Sequence, residues 1–423
     1  MSFDLEYEWA DVAESPDEIV HRTMAKLQIH VNGHLVTAVK DHQHKREREH
    51  VLVPMHHVAE WLVSNWHHLL YEPENGADSQ RPGFESRHSL AFAGDGFILP
   101  PLTIVPTGGA TLMRWAKTKP KFADIEFTRF GEERVPTDEM ESVCSSLIED
   151  VLGRMRQQKL PLETLEDAWR GVRELDEEEC DFARATALLG ADPFDLDDEL
   201  ADAIVEFWRG IPASLRSDSL GAVTNSESLP AVRRWIERSL DLLEQDEASA
   251  IATSGWEALR ESVVQSTSPI PWRRGYDLAE NFRREVVGDS SRDPDALGGE
   301  LAIPYRHMHA VSSRLQGVVA AGSPACVGTV SSDTSRRFLQ ARSIGAFLSP
   351  SDRGPSLLST MATDFQAFTR AFAAEFLAPA EQLRARIKGG RSSVAALARD
   401  FRVSPLVISH QIQNHGLGFA TGG

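Results

Sequence analysis

The stretch Arg337-Phe-Leu-Gln-Ala-Arg-Ser-Ile-Gly-Ala-Phe-Leu348, followed downstream by Phe372-Ala-Ala-Glu-Phe-Leu-Ala-Pro379, decides how the last third of this chain folds. Both segments read as helices. In the first, Phe338, Ala341, Gly345 and Leu348 recur at steps of three and four, so they form one apolar stripe. Phe372 and Ala373 give the second its packing face. Ahead of them, Pro324-Ala-Cys-Val-Gly-Thr-Val330 reads as a buried strand, and Arg274-Gly-Tyr-Asp-Leu-Ala-Glu-Asn-Phe-Arg284 as a helix.

Beyond these helices, Ser393-Val-Ala-Ala-Leu-Ala-Arg-Asp-Phe401 and Pro405-Leu-Val-Ile-Ser-His-Gln-Ile-Gln-Asn-His415 have a helix-turn-helix pattern over about 390–418. Val394, Leu397, Ala398 and Phe401 form the first stripe, and Val403 fills the turn. Ser404 caps the second helix, Pro405 takes its first position, and Gly416 ends it. Residues 381–423 carry Arg384, Arg386, Lys388, Arg391, Arg399 and Arg402 against Glu381 and Asp400. A nucleic-acid reading would put the second helix in the major groove, with Arg399, Arg402, Ser404, Ser409, His410, Gln411 and Gln413 as contacts and Asn414 beside them. Against it, the reading helix has no Arg or Lys for phosphates and guanines.

The full chain has 423 residues, enough for two or three cores, with 41% hydrophobic and 25% charged residues. Its net charge of −19 argues against a protein that coats nucleic acid or anionic membranes as a whole. The three cysteines, Cys144, Cys180 and Cys326, suit buried thiols in a reducing cytoplasm better than a disulfide framework. No apolar run approaches the ~18 residues of a membrane span. The acidic N-terminus lacks the regions of a signal peptide, so a cytoplasmic location is expected.

Three regions follow from the pattern. Residues 1–135 read as a small α+β domain. Leu27–Val31 and His34–Ala38 alternate around Asn32-Gly33, a type I′ hairpin signal. Further strands are expected at Ser89–Ala93, Leu102–Val105, Thr111–Trp115 and Ile125–Phe130, with one helix over Met55–Leu70. Residues 136–266 read as acidic helices. One starts at a Thr137 cap and ends near Gln158, one is capped by Asp195 or Asp197 and runs through Trp208, and one follows Ser228. Glu174-Leu-Asp-Glu-Glu-Glu179 fits a solvated helix start, carboxylates at the positive end of the dipole. Ser266–Pro271 marks the boundary to 272–423. The expected class is therefore α+β, mostly helical.

The two helices at Arg337–Leu348 and Phe372–Pro379 resemble the active-site helices of the ImmA/IrrE metallopeptidase family, a zincin-like family whose first helix runs roughly Arg-Phe-Thr-Leu-Ala-His-Glu-Leu-Gly-His-Ala-Leu. The likeness covers about 270–420, and the helix-turn-helix-like part matches the small helical subdomain of that family. Aligned on Phe338, Ala341 and Gly345, the resemblance places the zinc histidines at Arg342 and Ala346, the general-base glutamate at Ser343 and the third ligand at Phe368. Asp364 lies one turn earlier. Arg342 is a cation without a lone pair to give, and Ala346 has no ligand atom. Phe368 would fill the former cavity, contributing roughly 1.5–3 kcal/mol by burial. Arg342 would pair with Asp364 or Glu375.

The resemblance thus implies a pseudopeptidase without metal or cofactor. Its expected role is regulatory or scaffolding protein–protein interaction, in a stress-response, mobile-element or phage-defence setting. A protein partner is expected, DNA through the C-terminal basic segment is the alternative, and no membrane is. The small-molecule ligand is left unknown. A DNA-binding transcriptional regulator and an active metal-dependent peptidase with non-standard ligands are the competing functions.

Fifteen histidines raise a separate metal question. His30 and His34 would face each other across the hairpin, and His56-His57 and His67-His68 lie on the expected helix. His30-x-x-x-His34 straddles the Asn-Gly turn, and no pair has the His-x-x-x-His geometry of a zinc helix. Asp41–His50 reads as an exposed charged loop, and no Gly-rich phosphate loop opens a helix.

Overall fold

Asn32 and Gly33 both take positive φ, 48° and 78°, as a type I′ turn requires. In the computed structural model they join β2 (Met24–Val31) to β3 (His34–Leu35). The model describes residues 2–10, 16–74, 83–121, 123–223, 228–245, 256, 259–260, 268–287, 303–349, 354–389 and 393–418. The fold is mixed α+β, mostly helical with small sheets. The chain divides into two compact units, Met1–Asp197 and Asp198–Gly423, so the division falls inside the acidic helical region. Among the described residues, no helix is long and apolar enough to cross a membrane.

In the first unit, β1 (Phe3–Trp9) runs antiparallel to β2 along its whole length, from Phe3 opposite Val31 to Trp9 opposite Ala25. The far end of β2 pairs with β6 (Val51–Pro54). The second hairpin arm is shorter than its alternation suggests. Thr37 accepts the Ile29 amide with its hydroxyl and donates to Glu49 O at 2.7 Å. A side chain thereby replaces the ladder, and the strand stops. The register also sets His34 opposite Val31 and His30 opposite Leu35. The two histidines therefore point to opposite faces and do not meet.

The segment expected as a charged loop, Asp41–His50, is part of a hairpin of β4 (Val39–Asp41) and β5 (Arg46–Arg48). Buried Asp41 closes it, accepting from His44 N and lying 3.3 Å from Arg48. β9 (Ile125–Phe127) pairs on the other side of β4. A third sheet contains β7 (Thr103–Pro106), β8 (Thr111–Trp115) and β10 (Gly131–Val135). Ser89–Ala93 is not a strand. Only Ser89 bridges Thr103, and Leu90–Phe92 closes a single 3-10 turn through local amide–carbonyl bonds.

The helix expected over Met55–Leu70 is two, α2 (Met55–Ser64) and α3 (Trp66–Tyr71), where α1 is the short Glu18–Thr23. Asn65 breaks it by giving its side-chain amide to Trp61 O at 2.8 Å. α4 is Phe84–His88, and α5 (Thr137–Gln158) carries the main stripe. Met140, Cys144, Leu147, Ile148, Val151, Leu152 and Met155 repeat at helical spacing and are all buried. Pro136, not Thr137, occupies the cap position; the Thr137 hydroxyl meets Thr111 instead. After α6 (Glu163–Arg173), α7 (Glu177–Leu188) starts with a capping box of Asp176 and Glu179, its first-turn glutamates exposed as the charge pattern implies.

The second unit begins with α8 (Asp198–Gly210), α9 (Ala213–Gly221) and α10 (Leu229–Gln245). Of the boundary expected at Ser266–Pro271, only Ser266 and Thr267 lie outside the described residues. α11 (Pro271–Phe282) follows it. The sheet order is β11 (Tyr305–His307), β13 (Cys326–Gly328), β12 (Leu315–Val319), β14 (Ser356–Ser359), with β11 parallel to β13 and the other neighbours antiparallel. Buried β13 leads into α12 (Asp333–Leu348), capped by Ser332. α13 (Asp364–Leu377) is capped by Thr363. α14 (Ala380–Lys388), α15 (Val394–Phe401) and α16 (Pro405–Asn414) complete it, the last two forming the expected helix-turn-helix.

Close approach of α11 and α13 depends on Gly275. A Cβ there would lie 2.4 Å from the Phe368 carbonyl oxygen and 3.0 Å from the Ala371 methyl. Because backbone is what it would strike, Gly275→Ala forces the helices apart. The expected loss is about 1–3 kcal/mol. It is read as a lower urea midpoint for α11 and α13 by hydrogen exchange; an unchanged midpoint would contradict the packing.

Candidate functional site

The largest fully buried side chain of the described chain is Arg342, with 1% of its surface exposed. It points from α12 towards β12, β14 and α13. Its Nη1 donates to Gln316 Oε1 and to Ser359 O, the latter at 3.3 Å. Its Nη2 donates to Gln366 Oε1 and to Thr369 Oγ1, and Nε also reaches Thr369. Every nitrogen of the planar fork therefore has an oxygen partner. Pairing with Asp364 or Glu375 is not how this charge is satisfied. Asp364 opens α13, and Glu375 serves another junction.

Gln366 relays the charge. Its Oε1 also accepts Ser359 N at 2.9 Å, while its Nε2 donates to Leu357 O and to Asp218 Oδ2 on α9 at 3.2 Å. Burial pushes the Asp218 carboxyl up to about 6, opposed by the Gln366 hydrogen bond and the Arg342 charge. Burial, then the neighbouring Arg370 cation, pulls Arg342 well below the usual guanidinium value, with Asp218 opposing. Starting from so high a value, the group remains a cation. Arg370 is half-buried, and burial brings it down to about 10. It donates to Met361 O at 2.9 Å and Ser359 O at 3.4 Å.

The other resemblance positions are also engaged. Ser343 is buried and donates to Gln340 O at 2.8 Å. Against it lies the Cys326 thiol, which burial pushes up to about 12 with a Ser343 hydrogen bond opposing. Ala346 and Phe368 pack in the hydrophobic core of the unit. At Gly345 a Cβ would come within 3.0 Å of the Phe372 ring, which explains glycine in that helix.

Over Arg342 and Arg370 opens a cleft of about 1220 Å³ between α11, α12, α13 and α16. Trp272, Phe338 and Leu406 contribute apolar wall, and Asp277 and Glu280 line its α11 side. Burial raises the Glu280 carboxyl, and the charges of Glu375 and Asp277 add to that.

The helix-turn-helix packs beside this cleft. Gln411 is fully buried, donating to Glu375 Oε2 at 2.7 Å and Ala378 O at 3.0 Å. Its amide is therefore withdrawn from any base edge. Glu375 Oε1 accepts Ala380 N, and His415 Nε2 lies 3.4 Å from Glu375 Oε2. Asn414 donates to the Tyr276 hydroxyl. His410 lines the cleft. Arg402, left-handed at φ 54°, sits 3.2 Å from Asp333, and Ser404 is spent as a cap. Ser409 donates to Pro405 O; Arg399 and Gln413 are exposed. Arg391 lies outside the described residues.

Sequence reasoning missed Gln316, Asp218, Gln366, Thr369 and Arg370. The last three share a helix face at i, i+3 and i+4, a signal present but unread. Gln316 and Asp218 have no local signature.

In the first unit, the His56, His57 and Glu60 donor atoms lie within 4.8 Å of one another, a metal-compatible group among the described residues. The spacing His-His-x-x-Glu on α2 was its available signal. His67 and His68 do not join it. His68 faces the buried Glu72 at 3.1 Å, and burial brings His67 down to about 4, with the charge of His68 adding.

No known family model, characterised protein or solved structure matches the chain.

Proposed function

We propose that the chain is a non-catalytic relative of the ImmA/IrrE peptidases, a regulatory or scaffolding protein whose second unit binds a partner instead of cleaving it. The observation that carries this reading is Arg342. At the position where the resemblance requires a zinc histidine, a guanidinium is held by four residues of β12, β14 and α13. A metal would meet a fixed positive charge there, with no ligand atom at Ala346 and a packed ring at Phe368. What remains is a roomy cleft on a rigid floor, which suits recognition. A protein partner in a stress-response, mobile-element or defence setting is what the resemblance implies. A metal-dependent peptidase with other ligands draws no support from these positions. The DNA-binding alternative is weakened by burial of Gln411 in the helix meant to read bases.

Elemental analysis and peptide cleavage test the proposal together. The purified protein, incubated with zinc and dialysed, is expected to retain none at this site and to leave a repressor-like protein intact. Stoichiometric zinc lost on replacing residues of this cleft, together with cleavage, would sink it. The converse experiment introduces Arg342→His, Ser343→Glu, Ala346→His and Phe368→Glu together. If the alignment is right, the folded variant gains one zinc. A folded variant that gains none shows that the alignment is wrong.

A further inference from the structure

Two guanidinium groups, Arg342 and Arg370, stand at the floor of the cleft, and Asp218 is joined to Arg342 by hydrogen bonds through Gln366. The hydrogen bonds of Arg370 go to the carbonyls of Ser359 and Met361, which satisfy donors but carry no charge. A cation half out of water beside a second one is a strong attractor for an anion, because the cost of desolvation is already met.

A second observation concerns the walls. Trp272 is 38% exposed and Leu406 63%, and these two large apolar side chains line this same cleft with Phe338. An open apolar rim over a charged floor matches a ligand with one charged end and one apolar end. The α11 side carries Asp277 and Glu280, so a ligand with further anionic groups beyond its head would be repelled there.

We propose that the cleft binds a small amphipathic anion, its single carboxylate or phosphate head on Arg370 above Arg342 and its apolar body against Trp272, Phe338 and Leu406. This rests on reading the cleft as a binding site rather than a catalytic one. The head group is what Arg370 selects; the body is what the rim selects.

The test uses the full-length protein, isothermal titration calorimetry, and three probes: octanoate, phenyl phosphate and 1-octanol. Octanoate or phenyl phosphate is expected to bind, and the stronger of the two identifies the head group. The neutral alcohol is expected to bind at least about tenfold more weakly, the scale of a charge-assisted hydrogen bond. Arg370→Gln should weaken the anions by on the order of tenfold or more and leave the alcohol unchanged. Leu406→Ser, on the exposed rim, should weaken all three probes. Binding of neither anion at millimolar concentration overturns the proposal, as does equal binding by native protein and Arg370→Gln. If Arg370→Gln does not fold, the comparison of octanoate with 1-octanol on native protein decides: equal affinity overturns it. Failure here with no zinc bound leaves the non-catalytic reading standing; zinc in the cleft with peptide cleavage removes that reading itself.

Discussion

Arg342→Met is expected to lower the stability of the Asp198–Gly423 unit by about 3 kcal/mol. The side chain is of similar length and apolar, so the loss is not one of volume. It comes from what the guanidinium leaves behind. The hydrogen bond of Gln316 Oε1 to Arg342 disappears, whereas Gln366 Oε1 still accepts Ser359 N and Ser359 O keeps Arg370. Asp218 loses the positive charge that opposes its burial. Removing the repulsion between Arg342 and Arg370 offsets part of this, which holds the figure below the sum of the lost bonds. Arg342→Lys should recover less than half, because one ammonium cannot span Gln316, Gln366 and Thr369 in the plane that a fork does.

The same substitution carries a pH signature. Asp218 has a folded-state value raised to about 6, so its favourable contribution is complete below about 4, the unfolded value, and is lost as pH rises through about 6. Without Arg342 the carboxyl rises further, and the loss extends to higher pH. The destabilisation by Arg342→Met should therefore be larger at pH 8 than at pH 5. Urea unfolding of the full chain, with hydrogen exchange of the α12 and α13 amides, separates this unit from the other. Equal destabilisation at the two pH values would refute the Asp218 coupling.

Glu72→Gln is the second large effect, expected to cost the Met1–Asp197 unit about 3–5 kcal/mol. Glu72 is fully buried just after α3. Arg87 grips it with two nitrogens, at 2.8 and 2.6 Å, and His88 and His68 lie at 3.2 and 3.1 Å. His88 also faces Ile104 O at 2.7 Å, so the network ties α4 to β7. Burial by itself would raise the carboxyl, but the hydrogen bonds from His68, His88 and Arg87 outweigh it and hold the group well below the usual carboxylate range. A folded value depressed below the unfolded one means stability present above about 4.3 and lost as pH falls through the acid range below it. The native unit should thus lose stability steeply on acidification below about pH 4. The variant starts lower and declines less there. Acid titration followed by tryptophan fluorescence checks both features; parallel curves for native and variant would show that Glu72 carries no such linkage.

How much of this was readable beforehand differs by feature. Asn32-Gly33, the capping Ser404 and terminal Gly416 were legible because each acts on its immediate neighbours. Misread features had competing local chemistry. The Asn65 amide broke a helix that apolar spacing continued, and the Thr37 hydroxyl ended a strand that alternation prolonged. Both residues prefer such side-chain-to-backbone bonds, so the signal existed but its outcome depended on which backbone group lay within reach.

For the candidate site, the chain alone determined that Arg342, Ser343, Ala346 and Phe368 cannot supply the ligands of a zincin, since ligand chemistry belongs to residue type. It also determined the helices on which they stand, through spacing of three and four. Only the tertiary structure decided what Arg342 does instead. Its partners lie 17 to 27 residues away, and the relay ends at Asp218, 148 residues from Gln366. The same holds for Gln411, polar by type and yet buried, because Glu375 on α13 and Ala378 just past its end reach it. Periodicity specifies which face of an element is apolar; it does not specify which distant oxygen will satisfy a buried cation, and that choice made this cleft.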